Sequence, residues 1–209
     1  MDIGCGVYPK VELGLHYTGF TGELSMVDIA PSILVKAVSF LDYINAKFKV
    51  TAIANTLWEL NCKPFNIITA NHFLDDLVIE NHCTTFGIEL RNVYHNEKLL
   101  ASLWDNILLE PDAAYSLMDR FAERLDSLLN NDGIIVLADY PSYYYQTKGL
   151  LKVIVFLEKL QKYLQGSLSK KRYKNITLFR EKKLKYGWLE ISPDNCLCMK
   201  KPCIKDRQA

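Results

Sequence analysis

The sequence has no long apolar run. No stretch of the 209 residues reaches the ~18 apolar residues that a membrane-spanning helix needs, and the longest candidate, 150–157, is interrupted by Lys152. The first residues are acidic and glycine-rich rather than basic and then apolar, so the pattern of a secretory signal peptide is also missing. From these two absences we expect a cytoplasmic protein that does not act at a membrane.

Net charge and ordered cysteine spacing are also lacking. A net charge of +1 gives no electrostatic footprint for nucleic acid. Six cysteines at irregular spacing predict reduced thiols rather than a disulfide framework. Cys196, Cys198 and Cys203 lie near one another, but a structural zinc site takes four ligands and no fourth is evident nearby. We therefore expect neither a nucleic-acid partner nor a metal.

Strands and helices alternate along most of the chain. Apolar runs predict strands at 24–29, 48–53, 66–70 and 134–138, and helical spacing predicts helices at 31–41, from Asp112 to Gly133, and at 148–165. In the tail, 187–192 and 196–200 are extended around a turn at 193–195, and 176–179 is a further strand candidate. This pattern predicts one α/β domain over 1–209, with a doubly wound, mostly parallel sheet, helices on both faces and a C-terminal antiparallel hairpin.

Polar and glycine residues follow the predicted strands, at the edge where doubly wound sheets bind ligands. In Asp2-Ile3-Gly4-Cys5-Gly6 the glycines lack a Cβ, so the backbone can approach a ligand closely. Asp28, roughly 25 residues later, can accept hydrogen bonds from two ribose hydroxyls. Ile29 offers an apolar face to adenine, and the side-chain carbonyl of Asn55 can accept from its amino group. Together these residues predict an adenosine site.

Each of these residues also has a purely structural interpretation. The glycine turn occurs without a cofactor, Asp28 can cap the helix that begins near Pro31, and Asn55 can simply be a turn residue. For Asp28 the two interpretations are compatible, because one carboxylate can cap a helix and bind a ribose at the same time.

The order of these motifs resembles the class I S-adenosylmethionine (SAM)-dependent methyltransferases. Asp2-x-Gly4-x-Gly6 looks like their first motif, 27–34 their second, 54–57 their adenine segment, 65–76 their fourth strand, and 130–139 their fifth strand. The resemblance implies SAM as cofactor and methyl transfer to a small-molecule acceptor. The cofactor-binding residues that it implies are Asp2, Gly4, Gly6, Asp28, Ile29, Asn55, Thr56, Leu57 and Asn71.

The resemblance also places an acceptor site after the fourth strand. The Asn/Asp-Pro-Pro-aromatic motif of amino-group methyltransferases is replaced by Asn71-His72-Phe73-Leu74, which favours oxygen or carbon as the acceptor atom. A hydroxyl acceptor needs a general base, for which His72 is the first candidate, followed by Asp75 and Tyr140. Both residues also have a purely structural interpretation. His72 can be a polar residue at the start of a helix, and Asp75 can be an acidic residue that complements the helix dipole. We expect an insertion at about 77–111, which forms either a lid or acceptor pocket or an extra packed helix.

Departures from the family pattern leave two rival functions open. Val7-Tyr8 replaces a small residue, and Asn55 and Asn66 stand where the family often has Asp, which keeps a non-catalytic binding protein in view. Pro9 occupies the third-glycine position of an NAD-dependent dehydrogenase and disfavours that enzyme. Only Met1 precedes Asp2 where a strand of about five residues is expected, so we predict an N-terminally truncated chain.

Overall fold

The computed structural model describes residues 1–6, 8–139, 142–177, 184–186, 189–191 and 195–203, and it confirms the doubly wound α/β fold. The strands are β1 (Asp2–Ile3), β2 (Glu23–Asp28), β3 (Lys49–Ala54), β4 (Phe65–Asn71), β5 (Leu129–Ala138), β6 (Lys174–Asn175), β7 (Leu184–Tyr186), β8 (Leu189–Ile191) and β9 (Cys196–Lys200). The helices are α1 (Lys10–Tyr17), α2 (Pro31–Tyr43), α3 (Leu74–Phe86), α4 (Leu90–Tyr94), α5 (Glu97–Leu109), α6 (Asp112–Leu128), α7 (Tyr143–Thr147) and α8 (Leu151–Lys170).

Seven strands form the main sheet, in the order β3-β2-β1-β4-β5-β9-β6. Strands β1 to β5 are parallel, and β9 runs antiparallel to both β5 and β6. The two residues of β1 pair with β2 on one side and with β4 on the other. The turn that follows β1 therefore lies at the middle of the carboxyl edge, where the strand order reverses.

The C-terminal hairpin has a different partner strand from the predicted one. Strand β9 pairs with β6 and β5, whereas β8 pairs with β7 in a separate two-stranded sheet. Sequence proximity suggested pairing 187–192 with 196–200, but Leu197, Cys198 and Met199 are buried against the main sheet. Burying this apolar strand beside β5 outweighs pairing it with its nearest neighbour in sequence. The predicted turn includes Pro193 and Asp194, which lie outside the described residues.

Helices cover both faces of the sheet. The successive residues Met26 and Val27 of β2 point to opposite faces and belong to two different apolar clusters. One cluster packs α2 on β2, and the larger one joins β4 and β5 to α3, α5, α6 and α8. Trp104 of α5 and Phe121 of α6 are fully buried in the larger cluster. Among the described residues, no helix has the length and apolarity that crossing a membrane requires.

Two helix ends differ from the predictions. Helix α6 ends at Leu128, and β5 begins at once, with Asp132 in the left-handed region at φ 63°. Helix α8 runs through Gly166 to Lys170, because Leu160, Leu164 and Leu168 are completely buried on its inner face. Tertiary burial therefore overrides the weak helix propensity of a single glycine.

Candidate functional site

A cavity of about 430 Å³ opens at the carboxyl ends of β1, β2 and β3. This volume lies within the range of small-molecule sites. Six of the nine predicted cofactor-binding residues line the cavity: Gly4, Gly6, Asp28, Ile29, Asn55 and Leu57. The structure does not place Asp2, Thr56 or Asn71 among the lining residues.

The turn after β1 depends on glycine for two different reasons. Gly4 has φ 63°, and a Cβ there would lie 2.8 Å from a ring carbon of Phe73. Gly6 has φ 65°, but a Cβ would meet nothing within 4 Å. Gly4 is thus required both by its conformation and by the close approach of Phe73, whereas Gly6 is required by its conformation alone.

Asp28 combines a structural role with a place in the cavity wall. Its Oδ1 accepts a hydrogen bond from the backbone N–H of Ala30 at 2.9 Å, and Ala30 is the N-cap residue of α2. The described residues donate no recorded hydrogen bond to the second oxygen. One carboxylate oxygen therefore orders the start of the helix, and the other is available to a ligand.

Asn55 and the apolar wall complete this side of the cavity. Asn55 Oδ1 accepts a hydrogen bond from the backbone N–H of Thr56 at 2.8 Å. This contact fits the structural interpretation of Asn55 as a turn residue. Ile29, 44% exposed, lies in the same wall as Leu57 and Trp58. The Arg120 guanidinium stacks on Trp58 with its carbon 4.8 Å from the ring centroid. This wall presents an apolar surface beside a carboxylate.

Asp2 lies beneath the turn rather than in the cavity. Its carboxylate is 2% exposed and accepts a hydrogen bond from Thr69 Oγ1 at 2.6 Å. Burial, followed by the nearby charge of Glu12, raises the pKa of Asp2 well above its usual value. Asp2 therefore supports the turn by contact with β4, and the structure shows no side-chain contact between Asp2 and the cavity.

Helices α3 and α4 form the opposite wall, whose residues the sequence analysis did not identify. Asp76 and Glu80 of α3 and Arg91 and Tyr94 of α4 line the cavity, and the Tyr94 hydroxyl donates to Asp76 Oδ1. Burial and the charges of Asp76 and Asp28 raise the pKa of Glu80. The cavity is therefore acidic, with Arg91 the one cationic side chain among the described residues that line it. The insertion expected at 77–111 thus supplies a wall through α4 and a packed helix through α5.

Next to this cavity, three side chains meet where β4 and β5 end: His72, Asp75 and Asp139, which we call the carboxyl-edge cluster. Their ligating atoms lie within 4.8 Å of one another, and His72 Nδ1 is 3.9 Å from Asp139 Oδ1. His72 adopts φ 55°, and its backbone N–H donates to the Ala138 carbonyl at 2.8 Å. The Tyr145 hydroxyl donates to Asp75 Oδ2 at 3.1 Å. Positive φ at a histidine is uncommon and marks a constrained position.

Burial shifts the pKa values of all three groups. Burial and the charge of Lys10 lower the pKa of His72 to about 4, so its imidazole is neutral at pH 7. Burial and the charges of Asp76 and Glu158 raise the pKa of Asp139 to about 7. Burial, Asp76 and Asp139 raise the pKa of Asp75 well above its usual value.

Asp139 is the group of the cluster that the sequence-based candidates omitted. Its position directly after the clearest apolar strand, 134–138, was the available signal. The sequence-based candidates His72 and Asp75 lie in the cluster, while Tyr140 lies outside the described residues.

Comparisons with known proteins identify the fold. No protein-family model matches the sequence, and no curated protein matches it. A SAM-dependent methyltransferase from Methanosarcina mazei is 14% identical with a TM-score of 0.56, over 97% of this chain and 91% of that one. A methyltransferase from Pyrococcus furiosus is 12% identical with a TM-score of 0.52, over 97% of this chain and 75% of that one. A possible exported protein from Bordetella parapertussis is 14% identical with a TM-score of 0.50, over 97% of this chain and 62% of that one. The chain therefore has the class I SAM-dependent methyltransferase fold.

Proposed function

We propose that the protein is a SAM-dependent methyltransferase that transfers a methyl group to an oxygen or carbon atom of a small molecule. One observation carries the proposal: the glycine turn, Asp28 and the Ile29 and Leu57 surface converge on a single cavity at the switch point of this fold. Each of the three elements suits a different part of an adenosine ligand.

The residues of the cavity fit this cofactor. The second oxygen of Asp28 accepts from the ribose hydroxyls, while Ile29 and Leu57 pack against the adenine ring. Among the described lining residues, the acidic Asp28, Asp76 and Glu80 outnumber the basic Arg91, an excess that favours a ligand carrying a cationic sulfonium. SAM, when bound, supplies a methyl group activated by that positive charge.

The carboxyl-edge cluster supplies the acid–base group for the acceptor. Asp75 and Asp76 are adjacent in α3, with Asp75 in the cluster and Asp76 in the cavity wall, so the two sites are neighbours. A general base works best when its pKa is close to the operating pH. Asp139, whose pKa burial raises to about 7, meets this condition better than His72 at about 4. We therefore assign the base to Asp139 and a positioning role to His72.

The compartment in our proposal is the cytoplasm. All six cysteines are free thiols, including the exposed Cys62. Thiols that remain unpaired are typical of reducing compartments.

Calorimetric titration with S-adenosylhomocysteine, the demethylated product, tests the cofactor site. Asp28→Asn keeps an acceptor for the Ala30 N–H but removes the anionic oxygen, so we expect about 100-fold weaker binding. The matched control Asp42→Asn, on the exposed side of α2, leaves binding unchanged.

Three results would contradict the proposal or narrow it. Heat from NADH but none from S-adenosylhomocysteine would indicate a dehydrogenase. Binding without transfer of a labelled methyl group to any hydroxyl or carbon acceptor would indicate a non-catalytic binding protein. Equal binding by Asp28→Asn and the unsubstituted chain would remove Asp28 from the site.

A further inference from the structure

We propose that His72, Asp75 and Asp139 bind one divalent transition-metal ion. The binding of the ion does not depend on the proposed methyl transfer. With the ion bound, Asp139 is a ligand, so the base role proposed above applies to the metal-free chain.

The three ligands come from three different element ends that the fold brings to one point. His72 follows β4, Asp75 lies in the first turn of α3, and Asp139 follows β5. Their ligating atoms already lie within 4.8 Å of one another. Around a bound ion, with bonds of about 2.1 Å, three such atoms stand about 3 to 3.5 Å apart, so small side-chain rotations complete the site.

One of the three ligands has a buried oxygen without a hydrogen-bond partner. Asp75 Oδ1 is inaccessible to solvent and has no hydrogen-bond partner among the described residues. The other oxygen, Oδ2, accepts from Tyr145, which holds the carboxylate in one orientation. A buried carboxylate oxygen without a partner is costly, and a cation would supply the missing interaction. The hydrogen bond from Tyr145 is the kind of outer contact that orients a metal ligand.

The space and the charge around the cluster also suit a small cation. A cavity of about 10 Å³ lies between the three side chains and is bounded also by Tyr145 and Glu158, which is room for one ion or one water. Asp76 and Glu158 add negative charge near Asp139, and Lys10 is the cation whose charge reaches His72. Two carboxylates with one imidazole favour ions such as Mn²⁺ and Fe²⁺ over ions that prefer thiolates.

Electron paramagnetic resonance with Mn²⁺ tests the site. Mn²⁺ is the suitable probe because the six thiols of the chain compete for Zn²⁺. We expect the free Mn²⁺ signal to fall until one ion is bound per chain. Asp75→Asn and Asp139→Asn should each weaken binding at least about 10-fold. Thermal melts of both variants check that they are folded.

A second variant separates this inference from the proposed function. Asp28→Asn should retain full Mn²⁺ binding while it loses S-adenosylhomocysteine, and Asp75→Asn should show the opposite pattern. Mn²⁺ binding in a chain that does not bind S-adenosylhomocysteine would leave the metal site standing and overturn the proposed function. No loss of the free signal at about 1 mM Mn²⁺ would overturn the metal site. So would folded Asp75→Asn and Asp139→Asn variants that bind Mn²⁺ as well as the unsubstituted chain does.

Discussion

Ionisable side chains with little exposure lie at both edges of the main sheet, and their surroundings differ. At the carboxyl edge, Asp75 and Asp139 face each other and a neutral imidazole. At the amino edge, Lys201 Nζ lies 3.1 Å from Asp126 Oδ1 and donates to the carbonyls of Asp126 and Leu129, while Tyr173 donates to Asp126 at 2.8 Å. We call Lys201, Asp126 and Tyr173 the amino-edge network.

The pKa values of Asp126 and Asp139 differ because their partners differ. Burial alone would raise the pKa of Asp126, but hydrogen bonds from Tyr173 and Lys201 outweigh it and hold the pKa below its usual value. Among the residues that the structure describes, no such donors offset burial at Asp139, whose pKa rises to about 7. The paired charges at the amino edge stabilise the fold, whereas the poorly paired carboxyl groups at the carboxyl edge lower its stability. Such a cost is typical of functional sites.

Removing the buried amine should have the largest effect. Lys201→Met leaves Asp126 without its counter-ion and two carbonyls without a donor, so we expect a loss of about 3 kcal/mol in the free energy of unfolding. Urea denaturation measures it. Lys200→Met is the matched control, because its ion pair with Asp132 is 47% and 53% exposed and should not change the stability measurably. Equal losses in the two variants would erase the contrast between paired buried and exposed charges.

Neutralising the carboxyl edge should have the opposite sign. At pH 8 the folded chain holds Asp139 as a buried anion, so Asp139→Asn should raise the free energy of unfolding by about 2 kcal/mol in the presence of a chelator. Urea denaturation of both chains at this pH is the measurement. A destabilised Asp139→Asn variant would mean that this carboxylate is paired after all.

A smaller loss is expected from a single hydroxyl at the amino edge. Tyr173→Phe removes one hydrogen bond to Asp126 and should cost about 1 kcal/mol. In Tyr163→Phe the lost partner is Asp119 at the surface, so the melting temperature should not change. If the two variants melt alike, burial does not strengthen the Tyr173 contact.

The smallest effect should appear in the pH dependence. The folded pKa of Asp126 is depressed, so the unfolded chain binds its proton more readily. The stability from this group is present above the unfolded pKa of about 4 and is lost as the pH falls through the folded pKa. Stability measured below about pH 4 should therefore fall more steeply for the unsubstituted chain than for Asp126→Asn. Parallel curves would show that the network does not depend on ionised Asp126.

The parallel strands were predictable because their apolar runs are dense and local. Strands β2, β3 and β4 lie close to the runs at 24–29, 48–53 and 66–70, and the run at 134–138 is the second half of β5. The partner of β9 was not predictable, because it depends on apolar surface from β5, more than fifty residues away. Local patterns identify strands but not the strands they pair with.

The candidate site divides in the same way. Gly4, Gly6 and Asp28 were recognisable because their residue types and their positions after strands carry the signal. The wall from α4 was missed because a five-residue helix has too few residues to show a period. Gly87, which ends α3 at φ 65°, was the one local sign that a separate segment follows. The approach of His72 to Asp139 depends on the register of β4 against β5, which no local pattern specifies.

Phe73 links the glycine turn to the interior of the protein. Its ring lies against the position of a Gly4 Cβ, and on the other side its centroid is 5.8 Å from that of Phe121, which is fully buried in α6. Phe73 also lines the cavity, so the packing of α6 in the interior bears on the shape of the cavity wall. A smaller side chain at position 121 would therefore leave a void behind Phe73 and loosen this wall without any substitution among the lining residues.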